Sequence, residues 1–101
     1  MLDHITQAFA LTQAILNAAE QQHWDKVESL QQRREQLLKQ TESLPAPEDK
    51  PTSLQVAQLI NDIKAIDNRI TPLLQQHRQA LIKQKLQTNK GQKMTKAYKS
   101  T

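Results

Sequence analysis

The sequence predicts an all-α protein, an antiparallel bundle of three main helices. Apolar residues recur at helical spacings of three and four along most of the chain, and a cluster of three prolines between residues 45 and 51 interrupts them. Of the 101 residues, 37% are hydrophobic and only one is Gly. A strongly polar chain of this length has a thin core and no room for a sheet with a catalytic pocket.

A first amphipathic helix is predicted over residues 3–20 and a second over residues 23–44. The apolar stripe of the first is formed by Leu2, Ile5, Phe9, Thr12, Leu16 and Ala19. No Gly or Pro separates the two apolar series, so one unbroken helix over residues 5–44 is the alternative. We favour a turn near His23.

The third helix, over residues 53–90, is predicted to be the element against which the rest of the chain packs. Its stripe has a 3-4-3-4 spacing and consists of Val56, Leu59, Ile63, Ile66, Ile70 and Leu73. Thr52, followed three residues later by Gln55, fits a capping box at its start. Pro72 removes one backbone hydrogen bond, but the stripe continues through it, so we expect a kink rather than a break.

Residues 45–52 are predicted to form a stiff, solvated, proline-rich loop. The helices on either side should therefore be antiparallel neighbours. Folding back about this loop brings Glu28 opposite Arg69 and Glu35 opposite Lys64.

Arg34 occupies a position of the second stripe where an apolar residue is expected. We expect its stem to pack while the guanidinium reaches Asp62 or Asp67 across the interface. The alternative is a charge that specifies a partner.

Positive charge is concentrated in the last quarter of the chain. Residues 1–77 carry seven Lys or Arg and ten Asp or Glu, whereas residues 78–101 carry seven Lys or Arg and no acid. Lys90-Gly91 resembles a helix stop, after which residues 91–101 are predicted to be a mobile basic tail with one short turn of helix. Nucleic acid is an unfavoured partner for this tail, since no nucleic-acid-binding motif accompanies the charge.

The residue types needed for catalysis or metal binding are not grouped. Cysteine is absent, the three His residues are far apart, and no Gly-rich phosphate loop is present. We therefore expect no enzyme activity, no metal and no cofactor. The chain shows no signal-peptide pattern and no apolar run of about 20 residues, which predicts a cytoplasmic protein without membrane insertion.

Several stretches resemble the FliT-type flagellar export chaperones in their order and spacing. They are HWDKVESLQQRREQLLKQ, the proline loop, LINDIKAIDNRITPLLQQHRQALIKQKL and NKGQKMTKAYKST. The resemblance implies a small helical chaperone that holds the filament-cap protein before flagellar type III export and masks its C-terminal segment against premature assembly. It also implies contacts with export-gate and export-ATPase components and, for some members, with the master flagellar transcription regulator.

Three features of the family carry over by position. Trp24 matches the packing Trp of the second helix, Arg33 or Arg34 matches its Arg, and Ala97-Tyr98 matches the C-terminal Ala-Tyr. Some relatives continue from there into a regulatory tail that folds back on the binding surface. This chain stops three residues after the Tyr, so we expect no autoinhibition of that kind.

The residues and the resemblance together predict a client-binding surface. A client helix would lie on exposed apolar residues of the third helix, closed over by two residues of the tail. The predicted contacts are Leu74, Leu81, Ile82, Leu86, Met94 and Tyr98. Pro72, just before them, departs from the family pattern. Self-association through the same surface would give a homodimer.

Two rival functions remain open from the sequence. One is a nucleic-acid-binding or regulatory module that uses the basic segment. The other is a purely structural antiparallel coiled coil.

Overall fold

The computed structural model describes the backbone of residues 1–99 and the side chains of residues 1–86. Within this range the chain forms three α-helices, α1 (Leu2–Glu20), α2 (Trp24–Glu42) and α3 (Lys50–Lys99). The predicted all-α architecture is confirmed. The chain divides into two compact units: a bundle unit, Met1–Thr71, and a C-terminal unit that begins at Pro72.

The first helix supplies most of the core of the bundle unit. Its buried side chains are Ile5, Ala8, Thr12, Ile15, Leu16, Ala18 and Ala19. By contrast, α2 buries Val27 and Thr41, and the described part of α3 buries Val56 and Ile70. The other members of the predicted α3 stripe are half-buried. The expectation that the third helix is central is therefore wrong, because α1 contributes more buried side chains than α2 and the described part of α3 together.

A three-residue turn, residues 21–23, separates α1 from α2 and confirms the turn predicted near His23. The chain ends α1 in a Schellman motif. The amide of His23 donates to the carbonyl of Ala18 at 2.9 Å, and the amide of Gln22 donates to that of Ala19 at 3.1 Å. Gln22 has φ = 62°, a left-handed conformation that Gly usually supplies. Because Gln stands in its place, the sequence carries no direct sign of this turn.

The connection to α3 is shorter than predicted, since α3 begins at Lys50 rather than near residue 53. Asp49, not Thr52, caps the helix. Its carboxylate accepts hydrogen bonds from the hydroxyl and the amide of Thr52, the latter at 3.0 Å, and these bonds lower the pKa of Asp49. Pro51 consequently lies in the first turn, where a missing N–H leaves no helical bond unmade. The predicted capping box at Thr52 is wrong for this reason.

The last helix continues through Pro72 and ends at Lys99. The predicted absence of a break is confirmed, and the kink stays a prediction. The Thr71 hydroxyl donates to the carbonyl of Asp67 at 2.9 Å, one turn earlier in the same helix, so it does not cap a new helix. The helix stop predicted at Gly91 is wrong, because one Gly costs a helix only about 1 kcal/mol relative to Ala and helix-forming residues flank it.

The two ion pairs predicted between α2 and α3 are also wrong, those of Glu28 with Arg69 and of Glu35 with Lys64. Arg69 Nη2 instead lies 3.7 Å from Glu20 Oε1 at the end of α1, and Lys39 Nζ lies 3.8 Å from Glu35 Oε1 within α2. The prediction treated α2 and α3 as a two-helix hairpin. In the bundle unit, α1 brings its own acidic end to α3.

Candidate protein-interaction surface

A polar clamp joins the three helices of the bundle unit and consists of Thr12, Arg34 and Asp67. Arg34 Nη1 lies 2.7 Å from Asp67 Oδ1 and donates to Thr12 Oγ1 at 3.1 Å. The hydroxyl of Thr12, which is fully buried, donates in turn to the carbonyl of Ala8 at 2.7 Å. Of the two partners predicted for Arg34, Asp62 and Asp67, the structure has Asp67. The Arg34 side chain is only 18% exposed, and its charge is paired with Asp67, which is the condition for a tolerated, largely buried charge.

The sequence did not single out Thr12 as a partner of Arg34. The signal was present, since Thr12 is the polar member of the apolar stripe of α1 and Arg34 is the charged member of the stripe of α2. Trp24, the first residue of α2, is half-buried. Its role as a packing residue stays a prediction.

A shallow groove of about 540 Å³ follows one face of α2. Its described lining residues are Gln31, Arg34, Glu35, Leu38, Lys39 and Glu42. The ion pair between Glu35 and Lys39 crosses this lining, and Leu38, 37% exposed, is its large apolar side chain. Five of the six described lining residues are polar or charged, so the groove offers little apolar area to a partner.

The C-terminal unit exposes a larger apolar area. Leu81, Ile82 and Leu86 are 51%, 54% and 62% exposed. On a helix, residues three or four positions apart are neighbours on the surface. Ile82 therefore lies beside Leu86, whereas Leu81 lies about 100° around the helix from Ile82. All three predicted contact residues are exposed on one short stretch of α3.

Two cations that were not among the contacts predicted from the sequence lie on the same stretch of helix. Arg78 lies three and four residues before Leu81 and Ile82, and Lys85 lies four and three residues after them. Both side chains are exposed. We call Arg78, Leu81, Ile82, Lys85 and Leu86 the apolar–basic patch. The signal that identifies its cations is their spacing from the leucines and not the total charge.

The remaining predicted contacts have different positions. Leu74 is half-buried and lies four residues before Arg78. Met94 and Tyr98 belong to α3, but their side chains lie outside the described residues. The mobility predicted for residues 91–101 stays a prediction.

Metal sites and membrane spans are both absent from the described part of the chain. It brings no three His, Cys, Asp or Glu residues into a group that could hold a metal ion. None of its helices is both long and apolar enough to cross a membrane.

The fold and the patch define a class of protein, a small all-α bundle whose last helix presents apolar and basic side chains together. A family model described as "Flagellar protein FliT" matches residues 2–100. The chain therefore belongs to the FliT family and is a flagellar protein, as the resemblance in its sequence indicated. Comparisons with curated proteins and with solved structures gave no match.

Proposed function

We propose that this FliT-family chain is a cytoplasmic chaperone of flagellar type III export. It binds the C-terminal segment of the filament-cap protein and prevents that protein from assembling prematurely. The observation that carries the proposal is the exposure of Leu81, Ile82 and Leu86 on one stretch of helix. Membership of the FliT family supports the flagellar context.

The proposed mechanism is the burial of two apolar faces against each other. Fully burying a Leu or Ile side chain stabilises a complex by about 1.5–3 kcal/mol, so three half-exposed side chains contribute a few kcal/mol. An amphipathic client helix would supply matching residues at spacings of three and four. Leu74 would extend the contact, and Met94 and Tyr98 would close over the client. While bound, the client segment is withheld from its assembly partners.

Calorimetric titration with the C-terminal segment of the cap protein from the same organism tests this function. We expect micromolar or tighter binding with a negative heat-capacity change, the mark of apolar burial. The double variant Leu81→Asp with Leu86→Asp should abolish binding and leave the helical circular dichroism unchanged. Leu54→Asp is the matched control, because Leu54 is 61% exposed but belongs to the bundle unit. Unchanged binding by the double variant would reject the site.

The family also implies further partners, which we include in the proposal. These are export-gate components, export-ATPase components and the master flagellar regulator. Co-purification of each with the wild-type chain and with the double variant would show whether they use the patch or another surface.

A nucleic-acid-binding function is the second candidate, and one observation favours it. Seven Lys or Arg follow residue 77 without any acid, and α3 continues through nearly all of this segment. Such a segment should bind duplex DNA with an affinity that falls steeply with salt and is lost on removing residues 90–101. Cap-segment binding by the whole chain, with no DNA binding by the same chain, would exclude this candidate.

A further inference from the structure

We propose that the segment held by the apolar–basic patch is an amphipathic helix with acidic residues beside its apolar face. The patch would then select its client by charge as well as by apolar area. This inference rests on the proposed chaperone function and specifies the chemistry of the client.

The two cations of the patch are placed among its apolar residues. Arg78 and Lys85 do not surround the apolar residues at a distance but are their direct helical neighbours, three and four positions away. A helix that covers Leu81 and Ile82 must therefore also cover or closely approach both cations. A purely apolar partner would remove them from water without pairing them, which costs free energy.

The patch has no acid of its own to neutralise these cations. The last Asp or Glu in the sequence is Asp67, so the C-terminal unit contains none. Acids on the client are then the groups that can pair with Arg78 and Lys85. They would offset the desolvation of both cations and accelerate association.

The same charges argue against a second copy of the chain as the occupant. In a symmetric dimer the same patch on both subunits would meet itself. The dimer interface would bring Arg78 and Lys85 of one copy close to the same two cations of the other copy. The C-terminal unit holds no Asp or Glu that could neutralise them. An acidic helix is therefore favoured over the homodimer.

The spacing of the cations fixes the pattern expected in the client. Arg78 and Lys85 are seven residues apart, which is two turns and about 10.5 Å along a helix axis. A client helix should carry acids about two turns apart, with apolar residues between them at spacings of three and four.

Two synthetic peptides of about 18 residues provide the first test. Both carry Leu at spacings of three and four, and they differ only in having Glu or Gln at the flanking positions two turns apart. We expect the full chain to bind the Glu peptide about tenfold more tightly at low salt, with a preference that shrinks as salt rises. Equal affinity for the two peptides, or binding of neither, would overturn the inference.

Two charge reversals provide the matched control. Lys85→Glu should remove the preference for the Glu peptide, whereas Lys83→Glu should retain it. Lys83 is also exposed, and its reversal changes the net charge equally, but it lies about 200° around the helix from Lys85. Equal effects of the two reversals would attribute the preference to overall charge and would reject the patch.

Titration of the same variants with the cap-protein segment separates this inference from the proposed function. Binding that is weakened by Lys85→Glu and not by Lys83→Glu supports both. Binding that is equal in wild type and both variants rejects the acidic client and leaves the chaperone function standing. A cap segment that does not bind, beside a Glu peptide that does, rejects the cap protein as client and retains the acid-selective patch.

Discussion

Arg34 and Asp67 are 33 positions apart in the sequence and lie 2.7 Å apart between Nη1 and Oδ1, the shortest ion pair among the described residues. The same Nη1 donates to the buried hydroxyl of Thr12. One guanidinium therefore connects all three helices of the bundle unit. Charged hydrogen bonds of this kind are directional, so the clamp fixes how the helices are aligned as well as how tightly they pack.

Replacing Arg34 by Met should destabilise the protein by about 2 kcal/mol. Met retains most of the aliphatic stem of Arg34, so the loss of stability reports the charged hydrogen bonds. Each such bond contributes about 1.5–3 kcal/mol, and the cost of desolvating Arg34 reduces this gain. The free energy of unfolding can be measured by urea denaturation followed by circular dichroism.

Arg33→Met is the control for this substitution, because Arg33 is the exposed neighbour of Arg34 and makes no part of the clamp. It should change stability by less than about 0.5 kcal/mol. Equal losses in the two variants would show that the clamp contributes nothing beyond surface charge.

The clamp also shows how far the sequence could predict the fold. A charged residue at a stripe position must find a partner across the interface, so a pair of Arg34 with Asp62 or Asp67 was predictable from periodicity and charge, but the choice of Asp67 was not. The pairing of Arg69 with Glu20 was not, since exposed ion pairs contribute too little to fix a register and the position of α1 had to be known first. The central place of α1 was hidden because small alanines give a weaker apolar signal than leucines.

The helix ends and the candidate site were predictable to different degrees. Residues 81, 82 and 86 could be assigned to exposed surface because two of them leave the stripe of α3. The cap at Asp49 was missed because Pro51, two residues later, indicated loop, although proline is tolerated in a first turn. The sequence did not predict a turn at Gln22, because the conformation of this residue is imposed by the helices on either side.

Gln22→Gly should stabilise the protein by up to about 1 kcal/mol. A residue with a Cβ atom is strained at φ = 62°, and Gly relieves this strain. Part of the gain is lost because Gly also raises the conformational entropy of the unfolded chain. Thermal unfolding should show a correspondingly higher Tm. The adjacent Gln21, with φ = −88° and ψ = 0°, is the control, and Gln21→Gly should leave the Tm unchanged or lower. A gain at residue 21 equal to that at residue 22 would contradict the strain argument.

Asp49 should make the stability of the first turn of α3 depend on pH. Its bonds from Thr52 lower the folded-state pKa below the ordinary value of 3.8. A carboxylate with a lowered folded-state pKa contributes stability that is fully present above the unfolded-state pKa and is lost as the pH falls through the folded-state pKa. The loss should therefore appear on acidification below about pH 4.

Asp49→Asn isolates this effect, since Asn also caps helices but does not titrate. Between pH 6 and pH 3, the Tm of the wild type should fall further than that of Asp49→Asn. Glu48→Gln removes the neighbouring carboxylate, which does not cap the helix. The Tm of this variant should therefore fall as far as that of the wild type over the same pH range. Parallel loss of stability in the wild type and Asp49→Asn would show that the cap is equally strong in both protonation states.

Pro72→Ala should raise stability by about 2 kcal/mol. Proline in a helix interior costs about 3 kcal/mol, of which up to 1 kcal/mol is regained because it restricts the unfolded chain. The Pro72 side chain is exposed, so its removal forfeits little packing, and the new N–H can donate to the carbonyl of Asn68 one turn earlier.

Pro51→Ala is the matched control. Pro51 lies in the first turn of the same helix, where no bond is regained, and this substitution should leave the Tm unchanged or slightly lower. A Tm that rises equally in both variants would mean that the position within the helix does not matter. A Tm that falls in Pro72→Ala alone would mean that α3 depends on the local geometry that the proline imposes.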